Sequence, residues 1–176
     1  FGFNAILGLI GLAGILMRES DRLSALLDDF LRFARPPPPQ LKEQDLKTLV
    51  AETIEMLRAD PMSSGVEIEE DLESLQAPVD AAQFRQVLIN LLRNAVDASL
   101  ETGGAVELGW SQTNGKLDLW IADEGPGLAS TANLFVPFFT TKAGGSGIGL
   151  VLSRQIAEAH GATLILENRL EHRGCE

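Results

Sequence analysis

Gln86-Val87-Leu88-Ile89-Asn90-Leu91-Leu92-Arg93-Asn94-Ala95-Val96-Asp97-Ala98 decides the fold. Asp80 can cap a helix running through Ala98, on which Phe84, Val87, Leu88, Leu91, Leu92 and Ala95 recur at the three- and four-residue spacing of a buried face. Asn90 and Asn94 interrupt that pattern one turn apart, so their amides share a face, and Asp97 follows at the next helical step. Two amides among leucines suit a dry core poorly, since each unpaired one costs about 1–3 kcal/mol. An amide oxygen is, however, a good hard ligand for Mg2+, which keeps several waters and takes its other ligands from phosphates. An isolated pair of this kind is more often a cap or a solvated face, so its neighbours in sequence carry the decision.

Working outward, Val106, Leu108 and Trp110 alternate, as do Leu117, Leu119 and Ile121, with Asn114-Gly115 between them. Both turn residues tolerate positive φ, which predicts a hairpin. Asp123-Glu124-Gly125-Pro126-Gly127 follows the second strand directly, placing a carboxylate at the strand end and glycines where backbone can approach a ligand. Further on, Gly144-Gly145-Ser146-Gly147-Ile148-Gly149 precedes an apolar helix to about Ala159, presenting free N–H groups and a positive dipole end to an anion. It is neither a dinucleotide fingerprint, lacking the first strand and crossover in front, nor a Walker A loop, lacking Gly-Lys-Ser/Thr. Upstream, Asp45 caps a helix with Leu46, Leu49, Val50, Ile54 and Leu57 on one face, ending near Asp60-Pro61. Val66 and Ile68 alternate with acids as a strand does, and a last strand is expected from Ala162 to Glu167. This order predicts an α+β domain, a two-layer α/β sandwich with a largely antiparallel sheet covered by helices on one face.

Composition limits what such a domain does. A net charge of −11 argues against a nucleic-acid surface, which needs clustered cations, and an acidic chain that binds a nucleotide must hold its phosphates locally through a metal ion, backbone N–H groups and a few cations. The single Cys175 excludes an internal disulfide and a cysteine metal cluster and fits a cytoplasmic setting. Phe1 to Met17 is almost wholly apolar, but short for a membrane span and without a leading basic region; it reads as a helix packing on a partner helix, with any membrane attachment outside this chain. From Arg18 to Arg35 the residues Leu23, Leu26, Leu27, Phe30, Leu31 and Ala34 form an amphipathic stripe suited to a helix bundle. Pro36 to Pro39 stops it and begins a stiff linker. The expected organisation is an N-terminal helical segment at 1–35, a Pro-rich linker at 36–44, and the main domain at 45–176.

Taken together and in this order, these segments resemble the histidine kinase branch of the Bergerat-fold ATPases, the superfamily that also contains gyrase, heat-shock chaperones and mismatch-repair ATPases. Gln86 to Ala98 resembles the N box, Asp123 to Gly127 the G1 box, Phe135-Val136-Pro137-Phe138-Phe139-Thr140-Thr141-Lys142 the F box, and Gly145 to Leu150 the G2 box. The resemblance runs from Asp45 to about Arg169, and Arg18 to Pro36 is similar to the second helix of the dimerisation hairpin. It implies the cofactors ATP and Mg2+, with Asn94 coordinating the metal, Asn90 assisting, and Asp97 beside them. It implies that Asp123 recognises the adenine amine and that Gly125 and Gly127 admit the base. Lys142 and the backbone of Gly145, Gly147 and Gly149 would hold the phosphates from a mobile lid at 128–144. Thr141 and Leu150 belong to the same boxes, and Phe138 and Phe139 would pack the lid against the domain. Arg93 is a candidate phosphate or metal-shell contact.

The implied reaction is γ-phosphoryl transfer to a histidine and thence to a response regulator receiver domain, within a homodimer formed by the N-terminal helices. His160 reads as a helix C-cap and His172 as exposed, and the family's phosphoacceptor histidine falls just before Phe1, outside this chain. The alternative is a degenerate nucleotide-binding regulatory module that signals without phosphotransfer. An ATP hydrolase of the gyrase type is disfavoured because Asn90 stands where those enzymes place a glutamate base, and a serine kinase acting on an anti-sigma partner would lack the bundle helix.

Overall fold

The computed structural model describes residues 12–17, 20, 37–60, 65–128, 133–142, 145–170 and 172–176. Residues 12–17 are helical, with Leu12, Ile15, Leu16 and Met17 exposed; of the amphipathic helix expected from Arg18 to Arg35 only Ser20, which is helical, is among the described residues.

From the linker onward the elements are β1 (Lys42–Asp45), α1 (Leu46–Arg58), β2 (Ile68–Asp71), β3 (Gln76–Val79), α2 (Ala81–Leu100), β4 (Val106–Thr113), β5 (Lys116–Asp123) and α3 (Gly149–Ala159). Asp45 caps α1, its Oδ1 accepting from the Lys47 N–H at 3.1 Å and its Oδ2 from Thr48 Oγ1 at 3.1 Å. All five residues expected on the inner face of α1 are buried. Asp80 caps α2 by accepting from the N–H groups of Ala82 and Gln83.

The hairpin forms at its expected turn, with Asn114 at φ 54° and Gly115 at φ 76°. Register pairs Val106 with Asp123, Leu108 with Ile121 and Trp110 with Leu119. Residues paired across strands share a face, so Asp123 falls on the side of the sheet that Val106 and Leu108 turn to the core. Val50, Ile54 and Leu57 of α1, Leu88, Leu92, Ala95 and Val96 of α2, and Ile68, Val106 and Leu108 of the sheet form one cluster. Leu88 and Leu92 are fully buried, each contributing about 1.5–3 kcal/mol of apolar burial. Ile148, Leu152 and Ile156 form a smaller cluster, with Val87 of α2 packed against it.

The pairing is largely antiparallel, as expected, β1 with β3 and β4 with β5, while β2 joins β4 in parallel because the chain returns from β2 through α2. Three expectations change. β1 occupies residues assigned to the linker and pairs antiparallel with β3. These four-residue strands, KEQD and QAPV, have no apolar alternation to mark them, and Pro78 is admitted because this two-stranded ladder is all edge. Ile68 opens β2, but Val66 precedes it. No strand forms over 162–167; the chain is tied only near its end, where Glu167 and Glu176 exchange backbone hydrogen bonds and Asn168 bridges Cys175.

Candidate functional site

α2 and the start of α3 face each other across Asn90. Its Nδ2 donates to the Gly149 carbonyl at 3.2 Å and to Ser153 Oγ at 3.3 Å, and its Oδ1 accepts from Gln86 Nε2 at 3.1 Å. Asn90 therefore bolts α3 onto α2, and its oxygen, the atom a metal would need, is engaged within the helix. Asn94 and Asp97, on the next turn, converge instead on Lys142: the ammonium donates to Asn94 Oδ1 at 3.2 Å and to Asp97 Oδ2 at 2.8 Å. Two hard oxygens already address one cation here, the arrangement expected of a site that gives Mg2+ few protein ligands and leaves the rest to water and phosphate. Among the described residues no cluster of three or more His, Cys, Asp or Glu side chains offers a self-sufficient metal cage.

The structure does not bring Arg93 into this group. Its guanidinium meets Asp60 beyond the end of α1, with 3.4 Å between Nη2 and Oδ2, as the 100° step per residue from Asn94 dictates.

Asp123 ends β5 and is buried, its backbone N–H donating to the Cys175 carbonyl. Its Oδ1 accepts from the N–H groups of Gly125 at 2.9 Å and Cys175 at 3.2 Å. Among the described residues nothing donates to Oδ2, which leaves one carboxylate oxygen for a ligand. Burial and the Asp123 charge push the Cys175 thiol up to about 11, so this thiol is inert.

The glycines divide by what they permit. A Cβ on Gly125 would lie 2.5 Å from the Ala98 methyl, so its absence lets the Asp123 loop lie flush on α2. Gly127, at φ 80°, abuts Asn168, whose amide accepts from the Leu128 N–H and donates to the Leu128 carbonyl. Gly147, at φ 66°, lies against the Phe138 and Phe139 backbone, and its carbonyl accepts the Phe138 N–H at 3.1 Å. The Gly145 N–H donates to the Lys142 carbonyl, closing the turn that carries Lys142. Gly149 has only ordinary contact with Asn90, and Leu150 beside it is half-buried. No side chain caps the N-terminus of α3, so its first N–H groups and dipole are available to an anion.

Of the lid, 129–132 and 143–144 lie outside the described residues. Phe138 and Phe139 do not serve as its buried anchors, being 58% and 47% exposed; Phe138 also holds a left-handed backbone, φ 64°. Phe135 is half-buried and meets α3, its ring centroid 4.9 Å from the Arg154 guanidinium, where Arg154 also pairs with Glu158. Thr141 is exposed beside Lys142.

Sequence reasoning missed Asn168 and Gly174. Gly174, at φ 111°, stands where any Cβ would fall on the Asp123 carbonyl, so it is what lets the 174–176 segment reach Asp123. An Asn and a Gly near a chain end carry no local signal.

A model of the family described as histidine kinase-, DNA gyrase B-, and HSP90-like ATPase matches residues 79–176. The signal transduction histidine-protein kinase AtoS of Escherichia coli is 33% identical over 150 residues, covering 83% of this chain and 25% of AtoS. The sensor histidine kinase ZraS of the same organism is 31% identical over 159 residues, covering 87% of this chain and 34% of ZraS. The chain thus spans about a quarter to a third of these relatives. Among solved structures, full-length ShkA in complex with AMPPNP superposes with a TM-score of 0.81 at 27% identity, covering 94% of this chain and 36% of ShkA. The histidine kinase ThkA in complex with the response regulator protein TrrA gives 0.74 at 25% identity, covering 92% of this chain and 47% of that one. With more than half of its length matched, the chain belongs to the histidine kinase-, DNA gyrase B- and HSP90-like ATPase family and falls in its sensor histidine kinase branch.

Proposed function

We propose that this chain binds ATP with Mg2+ and is the catalytic region from which a sensor kinase transfers the γ-phosphoryl group to a histidine, and thence to a response regulator receiver domain. The observation that carries the reading is the convergence of Lys142 on Asn94 and Asp97, with the uncapped start of α3 on one side of α2 and the unshared oxygen of Asp123 beyond. The nucleotide-bound state of ShkA and the regulator-bound state of ThkA support it.

In this reading Asp123 Oδ2 accepts the adenine amine while Gly125 and Gly127 keep the loop clear of the base. Lys142 leaves Asp97 for the phosphates, which rest on the N–H groups between Gly145 and Gly149 and at the start of α3. Asn94 and Asp97, freed of the ammonium, hold the metal; Asn90 keeps α3 seated and contributes by positioning. Mg2+, when bound, neutralises phosphate charge. Catalysis by this chain is then positioning and electrostatic stabilisation, with no covalent step on the domain itself. The N-terminal helices supply the dimer through Leu23, Leu27, Phe30 and Leu31, with the linker ending at Lys42 where β1 begins. No helix among the described residues is long and apolar enough to cross a membrane.

Calorimetry with AMPPNP tests the proposal. Binding is expected with Mg2+ and is expected to weaken at least tenfold without it; Asn94→Ala should abolish that metal dependence. No binding with Mg2+ present would overturn the reading.

A further inference from the structure

Asp80 does more than cap α2. Its Oδ1 is taken by the Ala82 and Gln83 N–H groups, at 3.0 and 3.1 Å, while its Oδ2 accepts the Gln40 N–H at 2.9 Å. One residue thus joins the first turn of α2 to the linker. Gln83 adds a second tie, its Nε2 donating to the Pro37 carbonyl at 2.9 Å. Immediately beyond, Lys42 of β1 pairs with Val79 of β3, the residue before Asp80. The chain leaving the N-terminal segment is therefore fastened to the start of the helix that carries Asn94 and Asp97 nearer its other end.

The backbone of Asp80 is held in turn by His160. The Asp80 N–H donates to His160 Nε2 at 3.1 Å, and His160 Nδ1 lies 2.8 Å from the Ile156 carbonyl. A backbone N–H can only donate and a carbonyl can only accept, so the two contacts are met together by the tautomer that carries its proton on Nδ1. The imidazole spans two elements: it binds the last turn of α3 through Nδ1 and the first residue before α2 through Nε2. With Asn90 joining α2 to the start of α3, the helix pair is tied at two separate points. The Gln40 N–H is the largest cause holding the Asp80 carboxyl below its ordinary value, as expected if linker and cap stabilise one another.

We infer that His160 is a positioning residue for phosphoryl transfer: by fixing Asp80 it docks the 37–41 linker on the nucleotide-binding helices and so sets where the N-terminal helices present the phosphoacceptor. The inference rests on the histidine kinase reading. It assigns His160 no contact with nucleotide, so its loss acts on the geometry of transfer and not on ATP affinity. The requirement is one donor and one acceptor on a single side chain. Glutamine offers both at about the separation of the two imidazole nitrogens; alanine offers neither.

The test uses His160→Ala and His160→Gln, with Gln83→Leu as a variant that removes the second linker tie without touching either helix–helix bond. Amide hydrogen exchange at Gln40 and Asp80 and AMPPNP affinity are read on this chain. The single-turnover phosphorylation rate is read on a chain that includes the phosphoacceptor histidine. His160→Ala should speed exchange at both amides at least tenfold, slow phosphorylation at least tenfold, and leave AMPPNP affinity within about twofold. His160→Gln should restore both, and Gln83→Leu should slow phosphorylation with affinity intact. Unchanged exchange at Gln40 in a folded His160→Ala protein would overturn the inference. So would equal losses of affinity and rate that glutamine does not rescue, which mark a residue needed only for folding. If His160→Ala fails to fold, Gln83→Leu decides through the same rate-against-affinity comparison. If the unsubstituted protein neither binds AMPPNP nor is phosphorylated, the functional reading fails, and the exchange data alone decide whether the joint exists.

Discussion

Asp123→Asn separates the two jobs that the carboxylate performs. Oδ1 accepts from two backbone N–H groups, of Gly125 and Cys175, and those donors cannot reverse. An asparagine must therefore turn its oxygen toward them and its NH2 to the position of Oδ2. On the protein side, two charge-assisted hydrogen bonds become neutral ones, each losing about 0.5–1 kcal/mol, or about 1–2 kcal/mol in all. For a domain of this size that lowers Tm by roughly 2–8 °C. On the ligand side, an acceptor facing the adenine amine becomes a donor facing a donor. Losing a hydrogen bond to a charged group costs about 1.5–3 kcal/mol, which weakens ATP binding by about 10–150-fold. Guanine carries an acceptor oxygen where adenine carries its amine, so it gains a partner from the same substitution. Titration calorimetry with AMPPNP and GMPPNP at fixed Mg2+ reads both constants, and the ATP-to-GTP preference should fall at least tenfold. If both affinities fall together and their ratio holds, Asp123 shapes the loop but does not read the base, and the reasoning is wrong.

Three further outcomes follow from the geometry. Gly147→Ala must hold a left-handed alanine, at about 1–2 kcal/mol, with its Cβ 2.6 Å from the Phe138 carbonyl carbon, so Tm should drop by several degrees, whereas Gly149→Ala meets nothing closer than 3.6 Å and should leave Tm unchanged or higher in the same thermal scan. Native Cys175, buried and raised to about 11, should resist alkylation at pH 8 until the protein is unfolded. Because its folded value lies above 9.0, the stability it contributes is complete below that pH and is lost as pH rises toward 11, and Cys175→Ser should remove that alkaline loss in denaturation curves. Asp80 has the opposite sign: its carboxyl is depressed below 3.8, so its contribution is complete above that pH and fades as pH falls below it, and Asp80→Asn should flatten the acid limb of the stability profile.

Several features were legible in the residues because they are local. The Asp45 and Asp80 caps, the Asn114-Gly115 turn and the buried faces of α1 and α2 depend only on propensity and periodicity within a few residues. The order of the polar and glycine-rich segments identified the family for the same reason, since each box is a short run with its own chemistry. What only the tertiary structure decided involves partners far apart in the chain. β1 and β3 exist because they pair with each other, and their sequences hold no signal without that pairing. β2 lies parallel to β4 because α2 carries the chain back across the sheet. Arg93 and Asn94 are adjacent in sequence, yet one meets Asp60 and the other meets Lys142, because a helix turns 100° between them. Asn168 and Gly174 reach the Asp123 loop only when the last residues fold back beside β5. His160 is, in sequence, the end of one helix; that its imidazole holds the beginning of another, 80 residues away, depends on the antiparallel packing of α3 on α2, which no local pattern encodes.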